Sequence, residues 1–187
     1  MMTGFALSLA ILFLLILMGS FLSILIKFRF SQKTDTPKEH INQILDLMSL
    51  TKDSHFIDLG AGDYRMVFAA KSRHKAQSEG VEISPWLIFI SKLRKLIHFG
   101  IDSYPKVRVE DLQKIDLSEF DVIYANLDDI VIEGMIDNVS RTANNKAKLF
   151  LLNTTLDNIK PIKTVELDSK NKLTSYSIKK IRDHVTK

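Results

Sequence analysis

The longest apolar run comes first in the chain. From Met1 to Ile26 no side chain is charged, and Phe5 to Ile26 reads FALSLAILFLLILMGSFLSILI. As a helix rising about 1.5 Å per residue, those 22 residues would extend about 33 Å, enough to cross the hydrocarbon core of a bilayer. A cleaved signal peptide needs a basic start, a shorter apolar stretch and a small-residue cleavage site, and this segment shows none of them. The cations Lys27, Arg29, Lys33 and Lys38 all follow the run, so the positive-inside tendency puts the rest of the chain in the cytoplasm. The pattern predicts a transmembrane anchor over 1–27 and a polar linker over 28–37, ending near Pro37.

Beyond Pro37 the apolar residues change period. Ile41, Ile44, Leu45 and Met48 recur at helical spacing, and His55 to Leu59 is a short strand stopped by Gly60-Ala61-Gly62. A helix over 63–73 and a strand over 80–83 follow. Ser84-Pro85 then makes a good helix start, with the serine hydroxyl free to accept an orphan amide and Trp86, Ile90, Leu93 and Ile97 as the buried stripe. Further strands are expected over 107–110, 121–126 and 146–152, and Ile132, Met135, Ile136 and Val139 mark a helix between the last two. Strands alternating with helices indicate an α/β domain over 38–187 with a Rossmann-like, doubly wound, mainly parallel sheet. The tail breaks the alternation: 164–167 and 173–178 flank Asp168-Ser169-Lys170-Asn171-Lys172 and read as an antiparallel C-terminal hairpin.

Charge changes this picture little. Taking Lys27 and Arg29 from the 26 basic residues leaves 24 against 22 acidic ones, all of which lie beyond position 30, so the domain is nearly balanced. Its lysines are scattered without interleaved aromatics, which argues against a nucleic-acid partner. With no cysteine, thiolate metal sites, disulfides and cysteine nucleophiles are excluded, and the five histidines at 40, 55, 74, 98 and 184 lack metal-ligand spacing. No metal is expected.

Candidate chemistry lies at the strand ends, where ligands of open parallel sheets bind. In FIDLGAGDYR, residues 56–65, Gly60 and Gly62 allow a sharp turn and a close backbone approach. A dinucleotide fingerprint would place its third glycine at Arg65, so a nicotinamide or flavin site is disfavoured. Glu82 ends the next strand, where a carboxylate can accept both hydroxyls of an adenosine ribose. Asp63 and Arg65 read as braces of the helix, Trp86 as packed on the sheet, and Asp128 or Asp129 as a cap of the helix that follows.

DLGAGDYR, followed by GVEISPWL, resembles the class I S-adenosylmethionine-dependent methyltransferases, whose first motif is an acidic residue and a glycine-rich turn. These segments are most similar to the membrane-anchored mitochondrial lysine methyltransferases of the ATP synthase c-subunit and the adenine nucleotide translocase, and to their bacterial relatives. That family pairs a DLGxGDGR turn with an acid-x-N-P-W-like helix start, behind an N-terminal hydrophobic segment. The resemblance implies S-adenosylmethionine as cofactor, with Asp58, Gly60 and Gly62 bordering its methionine moiety, Glu82 holding the ribose, Ile83 flanking the adenine and Asp111 meeting the adenine amine. Asn126, closing DVIYANL, would be the catalytic residue facing the reacting methyl. The family's third glycine is Tyr64 here, and its ring either narrows the pocket or points away along the helix. Asn126-Leu127-Asp128-Asp129 departs from the more apolar, proline-containing loop of those relatives.

The expectation is therefore a single-pass methyltransferase acting on a lysine of a membrane-associated protein, with its catalytic domain in the cytoplasm. The lack of an amphipathic, arginine-rich presequence favours a bacterial plasma membrane over a mitochondrial inner membrane. A catalytically inactive, tethered binding module is the alternative, and lipid or small-molecule methylation is a third reading.

Overall fold

The computed structural model describes residues 8–9, 11–21, 36–100 and 104–185. The chain divides into two units, Met1–Gln32 and Lys33–Lys187. In the first, residues 11–21 are helical and nearly all exposed. The ends of the expected span over Phe5–Ile26, and the expected linker except for its last two residues, lie outside the described residues. Among the described residues, no helix is long and apolar enough to cross a membrane.

The second unit is built on a seven-stranded sheet of order β3-β2-β1-β4-β5-β7-β6. Its strands are β1 (His55–Leu59), β2 (Gln77–Val81), β3 (Lys106–Arg108), β4 (Val122–Ala125), β5 (Lys148–Leu152), β6 (Lys163–Glu166) and β7 (Lys172–Ser177). All seven overlap expected strands, but β2 begins three residues before the expected run over 80–83 and ends two residues short of it. Strands β3 to β5 in that order are parallel, and β7 runs antiparallel to both β5 and β6, as the tail pattern predicts. The hairpin turn is set by Asp168, whose carboxylate accepts the Lys170 and Asn171 amides and also meets His40 Nε2 at 2.6 Å.

The sheet separates two apolar layers. On one face Ile44 and Leu45 of α1 (Ile41–Met48) and Met66 and Val67 of α2 (Arg65–His74) cover Phe56, Tyr124 and Phe150. On the other, Met135 and Val139 of α4 (Asp129–Thr142) and Ile178 and Ile181 of α5 (Ile178–Val185) cover Ile57, Leu59, Ile123 and Leu149. The pattern does not announce α5, because two apolar residues one turn apart are too short a signal beside the strand that precedes them. Tertiary contacts hold it: the Arg182 guanidinium donates to the Ser140 and Ala143 carbonyls, satisfying orphan acceptors at the C-terminal end of α4.

Helix α3 (Pro85–Phe99) starts where expected but buries the other face. Ile88 and Ser91 are its buried residues, while Trp86, Leu93 and Ile97 of the expected buried stripe are 48, 46 and 68% exposed. Trp86 is therefore not packed under the sheet. The helix borders the short edge strand β3, which offers too little apolar surface to cover its full stripe.

Tyr64 resolves the packing around β2. It takes a left-handed conformation, φ 63°, as Gly60 and Gly62 do at 79° and 56°, so a tyrosine occupies a backbone position suited to glycine. Strain of roughly 1–2 kcal/mol is expected there. Complete burial and hydrogen bonds from its hydroxyl to the carbonyls of Gly80 (3.0 Å) and Arg108 (3.3 Å) offset it. The ring lies on Gly80, where an added Cβ would come within 2.4 Å of it. Gly80→Ala should therefore destabilise the protein by about 1–3 kcal/mol. In a Tyr64→Gly background the same substitution should cost less, though the Ala61 Cβ at 2.8 Å from the added methyl keeps part of the penalty, and the difference appears as a coupling energy in chemical denaturation. Equal costs in both backgrounds would contradict this packing.

Candidate active site

Register brings the expected residues to one place. Leu59 of β1 is level with Val81 of β2 and with Ala125 of β4, so Gly60, Glu82 and Asn126 are each the first residue beyond a strand end. Strand order reverses between β1 and β4, the position where open α/β sheets bind ligands. The turn is tied back to β2: the Gly60 and Ala61 amides both donate to the Val81 carbonyl, at 3.0 and 2.8 Å. The Tyr64 ring is packed on Gly80, which is level with Asp58, and its hydroxyl is bound to sheet carbonyls. Burial raises the pKa of that hydroxyl, and the charges of Glu82 and Asp58 raise it further, so the phenol lies close to the carboxylates of the candidate site.

Glu82 clamps the turn. One carboxylate oxygen accepts the Gly62 amide at 2.9 Å, and the other accepts the Ile83 and Ser84 amides, each at 2.9 Å. Ser84 occupies the N-cap position without the side-chain cap bond expected of it, and the Glu82 carboxylate holds the two residues that lead into the helix rather than its first-turn amides. Glu82 therefore faces the glycine turn rather than solvent.

Asp58 is 4% exposed and shares a sheet face with Phe56 and Tyr124, its register partner on β4. Burial pushes its carboxyl up to about 8, and the negative charges of Glu82 and Asp63 push in the same direction. Asp63 itself stays below the usual carboxylate range: burial raises it, but hydrogen bonds and charge from Arg65, with Arg94, outweigh that. The Arg65 Nε donates to Asp63 Oδ1 at 2.7 Å, so this pair braces the helix start as expected. Sequence reasoning did not foresee Asp63 as a third carboxylate acting on the site; its position one residue past Gly62 was the available signal.

The remaining candidates are more loosely gathered. Ile83 is 77% exposed beside Glu82. Asp111 is exposed beyond β3, caps a turn by accepting the Gln113 amide at 3.0 Å, and lies 3.6 Å from Lys114. Asn126 is half-buried at its strand end. Leu127, which the motifs did not single out, lies over the glycine turn, where a Cβ on Gly60 would meet its side chain at 2.5 Å. Asp128 occupies the N-cap position of α4, but its backbone carbonyl rather than its side chain makes the capping contacts, accepting the Val131 and Ile132 amides.

No protein-family model matches the chain. A crystal structure of an RNA methyltransferase from Salinibacter ruber with bound S-adenosyl-L-homocysteine superposes with a TM-score of 0.72 at 24% identity, over 78% of this chain and 94% of that one. The fold is that of the class I methyltransferases. A geranyl diphosphate C-methyltransferase from Streptomyces coelicolor A3(2), crystallised with Mg2+, geranyl diphosphate and S-adenosyl-L-homocysteine, superposes with a TM-score of 0.54 at 17% identity, over 61% of this chain and 44% of that one. In sequence, 64 residues are 34% identical to the Xenopus laevis lysine N-methyltransferase of the ATP synthase c-subunit. That match spans 34% of this chain and 27% of the relative, about a quarter of its length.

Asp58 makes stability depend on pH. Its folded value of about 8 lies above its ordinary 3.8, so the stability it contributes is complete below pH 3.8 and is lost as pH rises through about 8. The ligand-free protein should lose thermal stability across that window, and Asp58→Asn should flatten this part of the profile. An unchanged slope in the variant would show that Asp58 does not hold its proton in the folded state.

Proposed function

We propose that the chain is an S-adenosylmethionine-dependent methyltransferase acting on a lysine of a membrane or membrane-proximal protein. Its N-terminal apolar segment anchors it, and the cations after that segment keep the domain on the cytoplasmic side. One observation carries the reading: a two-glycine turn meets Asp58 and Glu82 where strand order reverses between β1 and β4. The residues fit such a cofactor. The charges that act on Asp58 are both negative, so a ligand bearing an ammonium and a sulfonium would relieve the local field. The S-adenosyl-L-homocysteine in the structural neighbours supports the cofactor, and the partial lysine methyltransferase match supports the acceptor class.

When bound, S-adenosylmethionine supplies an electrophilic methyl that a neutral amine takes with loss of a proton, leaving the thioether. The chain's part is to hold donor and acceptor in line and to exclude water. Gly60 and Gly62 admit the ligand close to the backbone, and Asp58 offers a carboxylate to the ammonium. Glu82 accepts three backbone amides, and a carboxylate has about four lone-pair sites, so capacity remains for a ribose hydroxyl. Ile83 offers an apolar wall to the adenine and Asp111 an acceptor for its amine, while Asn126 orients the incoming lysine. The rival reading of an inactive tethered module drew on Tyr64, whose ring packs on Gly80 with its hydroxyl on the sheet carbonyls. The altered loop after Asn126 is what still favours it.

Calorimetric titration with S-adenosylmethionine should give a measurable heat, and Glu82→Gln should weaken binding about ten- to a hundredfold, or roughly 1.4–2.8 kcal/mol. Because a cationic ligand favours ionised Asp58, affinity should rise with pH until about 8, and Asp58→Asn should abolish that dependence. Silence at millimolar ligand would overturn the reading. For the acceptor, peptide mass spectra from cells with and without the chain should differ at a lysine of a membrane protein. Methyl transfer to RNA or lipid alone would overturn the lysine assignment while leaving the cofactor intact.

A further inference from the structure

We infer that α3 is an interfacial helix that lays the domain against an anionic lipid surface. Trp86, Phe89, Leu93, Leu96 and Ile97 are 48, 59, 46, 59 and 68% exposed and recur at helical steps, so they form one continuous apolar stripe. Helical geometry places Lys92 and Arg94 on its two borders. The helix carries Lys92, Arg94, Lys95 and His98 and no acidic residue. Apolar residues framed by cations are the composition of helices that lie in the headgroup region, and Trp86 and Phe89, stacked at 6.1 Å, suit that depth. Beside the helix, a groove of about 470 Å³ is lined by Arg65 and Arg94, both of which are paired with Asp63, and by His98 and Phe99, so the positive charge offered to a headgroup comes chiefly from Lys92 and Lys95 of the helix itself.

A second copy fits less well as occupant. A two-fold pairing with it would set Lys92 and Arg94 against their own counterparts. Trp86 also lies two residues past Ser84, at the carboxyl edge of the sheet, so docking through α3 would hold the mouth of the candidate site at the lipid surface. That orientation would present the site to residues of membrane proteins that emerge at headgroup level. The inference deepens the membrane part of the proposal above and rests on its anchor, but not on methyl transfer.

Trp86 is the chain's single tryptophan, so its fluorescence reports α3 directly. The full chain is reconstituted into vesicles of phosphatidylcholine, with and without phosphatidylglycerol. The expected result is a blue-shifted Trp86 emission that brominated acyl chains quench, more strongly with phosphatidylglycerol and less at high salt. Leu93→Glu and Leu96→Glu should abolish the quenching while leaving vesicle flotation and S-adenosylmethionine binding unchanged. Flotation without quenching, with Trp86 open to aqueous iodide, overturns the docking and leaves the anchor standing. Shielding from both quenchers also overturns it: loss of shielding on dilution in lipid then identifies a second copy, and persistence identifies the chain's own segment. Loss of cofactor binding in the wild-type chain would instead strike the methyltransferase reading and leave the fluorescence result untouched.

Discussion

The site depends on β1 being paired in parallel on both sides. With Leu59 fixed level with Val81 and Ala125, three strand ends must open at the same height, and the chain leaving β1 must turn at once or collide with its neighbours. Gly60 and Gly62 allow that turn through positive φ, and the Val81 carbonyl fixes it by accepting two successive amides. Glu82 then closes the loop from the neighbouring strand. Each part is ordinary by itself; common register makes them a site.

The same closeness gathers negative charge. Burial first, and then the charges of Glu82 and Asp63, make Asp58 hold its proton to about pH 8. Asp63 escapes that fate because Arg65 and Arg94 compensate it. The turn is thus electrostatically unbalanced in a way that a cationic ligand corrects, which links the stability of the fold to the proposed chemistry.

Helix α3 shows a different tension. Its sequence is apolar enough for a core helix, yet it lies beside a three-residue edge strand that cannot cover it. An apolar stripe left outside and bordered by cations is the pattern of a helix that lies in a headgroup region, which is the basis of the docking proposed above. The orientation of the domain and the access of its acceptor would then follow from one surface.

Much of this was readable along the chain. The apolar periods located six strands closely and the seventh, β2, only by its last two residues, together with the reversal at the tail and the helices at 41–48 and 129–142, because burial on a sheet or one helix face leaves a local signature. The glycine turn and Glu82 were readable for the same reason: backbone geometry and strand ends are written in consecutive residues. Tertiary structure alone decided the rest. That Tyr64 packs on Gly80 depends on two positions sixteen residues apart meeting across a sheet. That Asp58 keeps its proton depends on its burial and on charges that folding brings beside it, and that the α3 stripe faces outward depends on how short its neighbour is. A sequence states which residues want burial or a partner; only the fold decides which of them receive it, because the partners come from elsewhere in the chain.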